Sequence, residues 1–381
     1  MADKDDYHYM ARALRLAERG LYTTDPNPRV GALVVKDGVV VGEGFHHRAG
    51  EPHAEPQALA QAGDQAKGAT AYVSLEPCSH QGRTPPCADA LIRAGVARVV
   101  AAMQDPNPLV AGRGLQRLRE AGIQVECGLL EQQARQLNPG FIKRMEQCLP
   151  YVRCKMAMSL DGRTAMADGE SQWITSPEAR RDVQFYRARS SAILTGIGTV
   201  LADDPSLNVR LPGEELHGLG PAYPVRQPMR VVLDSGLAMP PGAKLLTLPG
   251  ETRIFCSRLD EARAEPLRRA GAQVESLGDD PGRLDLEKTL RRLAELAINE
   301  VWVEAGPTLS GAMLAAGLAD EIVLYVAPHL MGDGARGLFH LPGLHRMEDR
   351  IELEITDARN LGRDLRLSAR IGTATTKTKG D

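Results

Sequence analysis

Apolar residues Met10, Ala13, Leu14 and Ala17 recur at helical spacing between Tyr7 and Arg19, and Gly20 follows as a stop, which predicts a first helix. Two β-rich runs, Val30 to Val35 and Val39 to Phe45, flank Asp37-Gly38, a dipeptide that accepts the positive φ angles of a tight hairpin turn. Beyond them helical and strand patterns alternate: helix 53–62, strand 70–75, helix 86–94, strand 98–103, helix 114–121 and strand 123–127. That alternation predicts an α/β layer in which helices cover one sheet.

Residues 130–147 read as helix broken at Asn138-Pro139-Gly140, and Leu149-Pro150 then leads into a β-run from Tyr151 to Ala157. The expected division is therefore a domain at 1–148, a second at 149–370 and a polar, frayed tail at 371–381. Within the second, strands are expected at 192–195, 230–233, 252–256, 300–304 and 321–326, and helices at 177–188, 286–296 and 308–316. The Gly- and Pro-rich segment 211–228 reads as a surface loop.

A length of 381 residues fits this two-domain division, at roughly 150 residues per domain. The charge balance, 46 basic against 49 acidic side chains, provides no basic footprint for nucleic acid or a membrane surface. No apolar run approaches the roughly eighteen residues of a membrane span, and the acidic start, Met1-Ala2-Asp3-Lys4-Asp5-Asp6, lacks the features of a secretory signal. A cytoplasmic protein is expected, with a small-molecule substrate and a homo-oligomeric state. In a reducing compartment its six cysteines suit metal binding or burial better than disulfides.

One group of residues has organised chemistry: His53-Ala54-Glu55, then Glu76-Pro77-Cys78, then Cys87. Imidazole and thiolate are zinc ligands, and three protein ligands leave a fourth tetrahedral position for water that is activated near neutral pH. His53 and Glu55 fall at the start of one predicted helix, so one can bind the ion while the other shuttles protons. The H-x-E and P-C elements are those of zinc nucleobase deaminases, but eight residues, Ser79 to Pro86, separate the cysteines where that signature has two. The bland alternative is a buried histidine and two core cysteines.

These residues, with Asp25-Pro26-Asn27-Pro28-Arg29-Val30-Gly31, Ser79-His80, Gly82-Arg83-Thr84-Pro85-Pro86 and Asp105-Pro106-Asn107-Pro108, resemble the bifunctional riboflavin-biosynthesis deaminase/reductase family, whose cysteine spacing is also long. The resemblance continues through Lys155-Met156-Ala157-Met158-Ser159-Leu160-Asp161-Gly162-Arg163, Ser171-Gln172-Trp173-Ile174-Thr175, Thr199-Val200-Leu201-Ala202-Asp203-Asp204-Pro205 and Glu304-Ala305-Gly306-Pro307-Thr308-Leu309. It implies an N-terminal cytidine-deaminase-like three-layer domain and a C-terminal dihydrofolate-reductase-like α/β domain. The first would deaminate a phosphoribosylated diamino-pyrimidinone with zinc; the second would reduce the product's ribosyl group to ribityl with NADPH. By the same resemblance His53, Cys78 and Cys87 hold zinc, Glu55 shuttles protons, and Asn27, His46, Arg83, Asp105 and Asn107 meet the pyrimidine or its ribose phosphate. Ala157, Trp173, Thr199, Asp203, Ser235 and Gly306 are expected at NADPH, and Ser171, Arg187, Arg210 and Glu304 at the second substrate.

Read without the resemblance, the second domain says less. Gly112-x-Gly114 and Gly196-x-Gly198 lack the third glycine of a dinucleotide fingerprint, so a Rossmann domain is not expected. Gly306-Pro307-Thr308, after a predicted strand, could cradle a phosphate at a helix N-terminus or simply cap an ordinary helix. With the resemblance, Lys155 and Glu304 are candidates to protonate or orient the opened sugar; Trp173 either stacks on a flat ring or fills core. Two other function classes stay open at this point: a nucleoside or RNA deaminase with an added domain, and a binding module clipped by a structural metal.

Overall fold

The computed structural model describes residues 4–79, 85–278 and 282–372. The chain divides into two compact units, Met1–Leu149 with Pro212–Val225, and Pro150–Leu211 with Arg226–Asp381.

The first unit is built on a five-stranded sheet of β1 (Gly31–Lys36), β2 (Val39–Phe45), β3 (Thr70–Val73), β4 (Arg98–Ala101) and β5 (Gln124–Cys127), in the order β2-β1-β3-β4-β5. β1 pairs antiparallel with both β2 and β3, whereas β3, β4 and β5 run parallel. The helices are α1 (Lys4–Glu18), α2 (Ala54–Ala62), α3 (Cys87–Ala94), α4 (Arg113–Glu120), α5 (Glu131–Leu137) and α6 (Pro139–Gln147). Alternation along β1 assigns its two faces: Leu33 and Val35 pack with Met10, Leu14, Ala134 and Phe141, while Ala32 and Val34 pack with Ala54, Ala58 and Ala62. Three layers result, with α1, α5 and α6 on one side of the sheet and α2, α3 and α4 on the other. Asn138 separates α5 from α6, where Pro139 starts the new helix without needing an N–H partner. Gly42 lets α2 lie directly on β2, since a Cβ there would come within 2.1 Å of the Ala58 carbonyl oxygen.

The second unit carries a nine-stranded sheet in the order β11-β10-β9-β8-β12-β6-β13-β16-β15. Its strands are β6 (Tyr151–Ser159), β8 (Ala192–Gly196), β9 (Met229–Leu233), β10 (Thr252–Cys256), β11 (Ala272–Ser276), β12 (Glu300–Glu304), β13 (Glu321–Ala327), β15 (Leu353–Leu361) and β16 (Asp364–Ile371), while β7 (Arg163–Ala165) and β14 (Arg336–Gly337) form a separate pair. From β11 to β13 neighbouring strands are parallel; β13, β16 and β15 are antiparallel. The central parallel strands are covered on both faces and read as apolar runs, as in buried Ile193-Leu194, Val231-Val232 and Val301-Trp302-Val303. The remaining helices are α7 (Pro177–Arg189), α8 (Ile197–Asp203), α9 (Gly213–Leu216), α10 (Lys244–Thr247), α11 (Glu261–Arg269), α12 (Leu286–Glu295) and α13 (Pro307–Ala315), of which α9 belongs to the first unit.

Two expectations need correction. Residue 371 does not begin a frayed tail: Ile371 closes β16 opposite Leu353, and residues 373–381 lie outside those described. The segment 211–228 is not merely a surface loop, because Pro212–Val225 folds into the first unit. The strands β11, β15 and β16 escape sequence reading because polar and charged residues interrupt their apolar pattern, and most of β15 is exposed.

Candidate active sites

Three side chains from separate elements meet in the first unit. His53 is the N-cap of α2, Cys78 lies in the loop after β3, and Cys87 is the first residue of α3. Their ligand atoms lie within 4.8 Å of one another. His53 Nδ1 is 3.7 Å from Cys78 Sγ and 3.3 Å from Cys87 Sγ. A tetrahedral zinc with ordinary Zn–S and Zn–N bonds would set such edges at roughly 3.6 Å, so the three ligands fit that ion. The Cys87 backbone N–H donates to Cys78 Sγ at 3.3 Å, which places a helix N-terminus against that sulfur. Hydrogen bonding from the Cys87 thiol lowers the Cys78 thiol, and the same contact with burial pushes Cys87 up. The long insertion between the cysteines leaves this geometry intact.

Glu55 is the second residue of α2, 4 % exposed, and its Oε2 has no hydrogen-bond partner among the described residues. Burial raises its carboxyl to about 7, against the opposing pull of His53, so it can take and return a proton near neutrality. The His46 ring centroid lies 5.1 Å from that of His53, and His46 Nε2 is 3.0 Å from Asn27 Nδ2. Burial holds His46 at about 4, so it is neutral and can accept from the Asn27 amide. Asp105 is buried and raised to about 7, mainly by burial and further by Glu76 and Cys78; its Oδ1 accepts from the Asn107 backbone N–H at 2.8 Å. Arg83 lies outside the described residues.

Glu76 was read from the sequence only as part of a motif, and the structure gives it a larger part. Its carboxylate accepts four backbone N–H bonds, from Asp105 (3.0 Å) and Gly112 (2.9 Å) on Oε2 and from Gly114 (2.9 Å) and Leu115 (3.3 Å) on Oε1. It thereby caps the start of α4 from outside and pins the loop that carries Asp105 and Asn107. Gly114 is required there, since a Cβ would meet the Pro77 carbonyl oxygen at 1.9 Å.

The second unit holds a cavity of about 1950 Å³ at the C-terminal ends of the parallel strands. Lys155, Ala157, Ser171, Trp173, Arg187, Thr199, Asp203, Arg210, Ser235, Glu304 and Gly306 all line it. Glu304 and Lys155 are register partners on β12 and β6, so the pairing of these strands puts the two side chains together. Arg187 grips Glu304 with both arms, Nε on Oε1 at 2.6 Å and Nη2 on Oε2 at 2.8 Å, and the Trp302 indole donates to Oε1 at 2.9 Å. Burial alone would raise the Glu304 carboxyl, but Arg187, Lys155 and Trp302 outweigh it and hold the group at about 2. Glu304 is therefore an anion at neutral pH, suited to orienting and not to donating a proton. Burial lowers the Lys155 ammonium below the usual lysine range, which makes it the better acid of the two.

Trp173 is 69 % exposed at the cavity, with the Arg180 guanidinium 4.5 Å from its ring centre, so it does not fill core; Trp302 does, stacked on Tyr186. Two helix starts open into the same cavity: α13 with Gly306 as N-cap and α8 with Gly196, neither closed by a side-chain cap. A Cβ at Gly306 would meet nothing within 4 Å, and free N–H groups at such ends suit the phosphates of a dinucleotide.

Residues 3–103 match the family described as "Cytidine and deoxycytidylate deaminase zinc-binding region", and residues 150–367 match "RibD C-terminal domain". The chain is 56% identical over 362 residues to "Riboflavin biosynthesis protein RibD" of Escherichia coli (strain K12), covering 94% of this chain and 98% of that one. The chain belongs to the RibD family. The RibD protein of Haemophilus influenzae is 50% identical over 368 residues, with 95% of this chain and 96% of that one covered. Among solved structures, Acinetobacter baumannii RibD (form 1) has a TM-score of 0.89 at 48% identity, covering 97% of this chain and 99% of that chain. A Thermotoga maritima diaminohydroxyphosphoribosylaminopyrimidine deaminase/5-amino-6-(5-phosphoribosylamino)uracil reductase has 0.81 at 32%, covering 96% and 98%. Like other RibD chains it is a bifunctional enzyme of riboflavin biosynthesis, a zinc-dependent deaminase joined to an NADPH-dependent reductase.

Proposed function

We propose that the first unit hydrolyses the 2-amino group of 2,5-diamino-6-(5-phosphoribosylamino)pyrimidin-4(3H)-one and that the second reduces the ribosyl group of the product to ribityl. The observation that carries this reading is the meeting of His53, Cys78 and Cys87 beside a buried Glu55 whose Oε2 has no partner among the described residues. Zinc, held by those three ligands, would supply the Lewis acidity that activates water. Glu55, which is no ligand in this reading, takes a proton at its free oxygen and delivers it to the departing amine. Asn27 and His46 read the donor and acceptor edge of the pyrimidine, and Asp105 and Asn107, held by Glu76, line its other side; Arg83 is assigned to the phosphate by resemblance alone.

In the second unit NADPH would supply the hydride, with its phosphates against the starts of α8 and α13 and with Ala157, Trp173, Thr199, Asp203, Ser235 and Gly306 around it. Lys155 donates the proton to the opened sugar, Glu304 orients its hydroxyls from the grip of Arg187, and Ser171 and Arg210 hold the remainder of the substrate. No helix among the described residues is long and apolar enough to cross a membrane. A cytoplasmic site of action fits six free cysteines, and self-association fits the exposed Leu353 and Ile355 on the edge strand β15.

The test is incubation of the pure chain with the pyrimidine ribosyl phosphate, with and without NADPH, followed by mass analysis. Without NADPH the product gains about 1 Da as the amine becomes a carbonyl, and with it a further 2 Da as two hydrogens are added. Absence of the first change refutes the deaminase assignment, and absence of the second alone refutes the reductase assignment.

A further inference from the structure

The segment Pro212–Val225 is encoded in the reductase half yet folds into the first unit. Leu219 packs against the core cluster that contains Met10, Leu33 and Phe45. Four residues on, the Tyr223 hydroxyl donates to Glu51 Oε2 at 3.1 Å and lies 3.3 Å from His47 Nδ1. Arg48 sets its guanidinium 5.2 Å from the centre of the Tyr223 ring and pairs with Glu51 at 2.8 Å. His47, Arg48 and Glu51 all belong to the loop 46–53 between β2 and α2. That loop begins at His46, which is bonded to Asn27, and ends at His53. A connection with little regular backbone bonding keeps one shape only where side chains brace it, and Tyr223 ties its two halves together.

We infer that Tyr223, supplied by the reductase half of the sequence, is a positioning residue of the deaminase: it braces loop 46–53 and thereby fixes His46 and Asn27 for the substrate. The inference rests on the reading above that those two residues meet the pyrimidine. Because Glu55, Cys78 and Cys87 stand on other elements and His53, at the loop's end, is held as the N-cap of α2, loss of the brace weakens substrate binding before it touches the chemistry. It also makes the deaminase incomplete within residues 1–149.

The experiment compares Tyr223→Phe and Tyr223→Ala with wild type in the full chain, measuring deamination kinetics, zinc content and hydrogen exchange of the amides of residues 46–52. Tyr223→Phe keeps the ring beside Arg48 and removes only the hydroxyl. It should raise the deamination KM by up to about tenfold, as expected for losing two hydrogen bonds, with kcat near wild type. Loop amides should exchange faster, zinc should stay bound, and reduction of independently supplied deaminated substrate should not change. Tyr223→Ala should exceed the Phe variant in both KM and exchange. Unchanged KM in both variants overturns the inference whatever the exchange does, and so does a fall in kcat with zinc loss at constant KM. Asn27→Ala is the separate control: if it leaves KM unchanged, the substrate reading of that residue fails, and the exchange data still report whether Tyr223 braces the loop.

Discussion

The two active sites are built on opposite plans. In the deaminase one buried and two half-buried side chains, at the starts of two helices and in a loop after a strand, converge within 4.8 Å. In the reductase a cavity of about 1950 Å³ is lined by residues from many strand ends and loops, with one buried ion pair at its floor. A metal needs fixed ligands in a fixed tetrahedron, whereas a dinucleotide with its substrate needs length, helix ends and a few polar anchors. The difference implies that substitutions at the centre of the first site should cost far more than single changes in the second, whose binding is spread over many contributors.

The sharpest test of this contrast is Glu55→Gln. It should lower deamination by about a hundredfold to ten-thousandfold while zinc and the reductase rate are kept, because only the proton shuttle is lost. Ammonia release near the wild-type rate would break the contrast at its firm end. Lys155→Ala should cost NADPH oxidation on the order of a hundredfold, with deamination unaffected. In the proposed role the active form is the ammonium; because burial lowers its pKa, the wild-type reductase rate should fall as pH rises, and at a pH below the usual lysine value of about 10.4.

Arg187→Gln should follow, leaving Glu304 buried without its bidentate partner. A cost of about 3 kcal/mol should appear as a lower denaturation midpoint of the second unit together with lost reduction. Glu76→Gln should be the mildest of the four, at about 1–3 kcal/mol, because an amide cannot accept from all four backbone N–H groups. It should raise the deamination KM through Asp105 and Asn107 and leave the second unit's melting untouched.

Much of the deaminase was legible beforehand because its chemistry is compressed into short motifs. His53 and Glu55 share one helix start, and Cys87 opens the next, so spacing alone suggested a metal. Periodicity found α1, the hairpin β1–β2 and the buried parallel strands, where apolar pattern and structure coincide. The rest was hidden for physical reasons. Strand β15 is an exposed edge whose register comes from β16, not from an apolar face of its own. The pairing of Glu304 with Arg187 joins residues 117 positions apart, and only the fold brings the two side chains together. Tyr223 lies 172 positions from Glu51, inside a segment whose Gly and Pro content suggested nothing beyond a surface loop.

The central claim is a zinc ion held by one imidazole and two thiolates, with Glu55 beside it and uncoordinated. Zinc-edge X-ray absorption on the purified wild type and on Glu55→Gln measures it most directly. Two sulfur and one histidine nitrogen ligands plus one light non-protein atom are expected in both proteins, with one zinc per chain. A fourth protein ligand, or a coordination shell that changes when Glu55 is replaced, would contradict it.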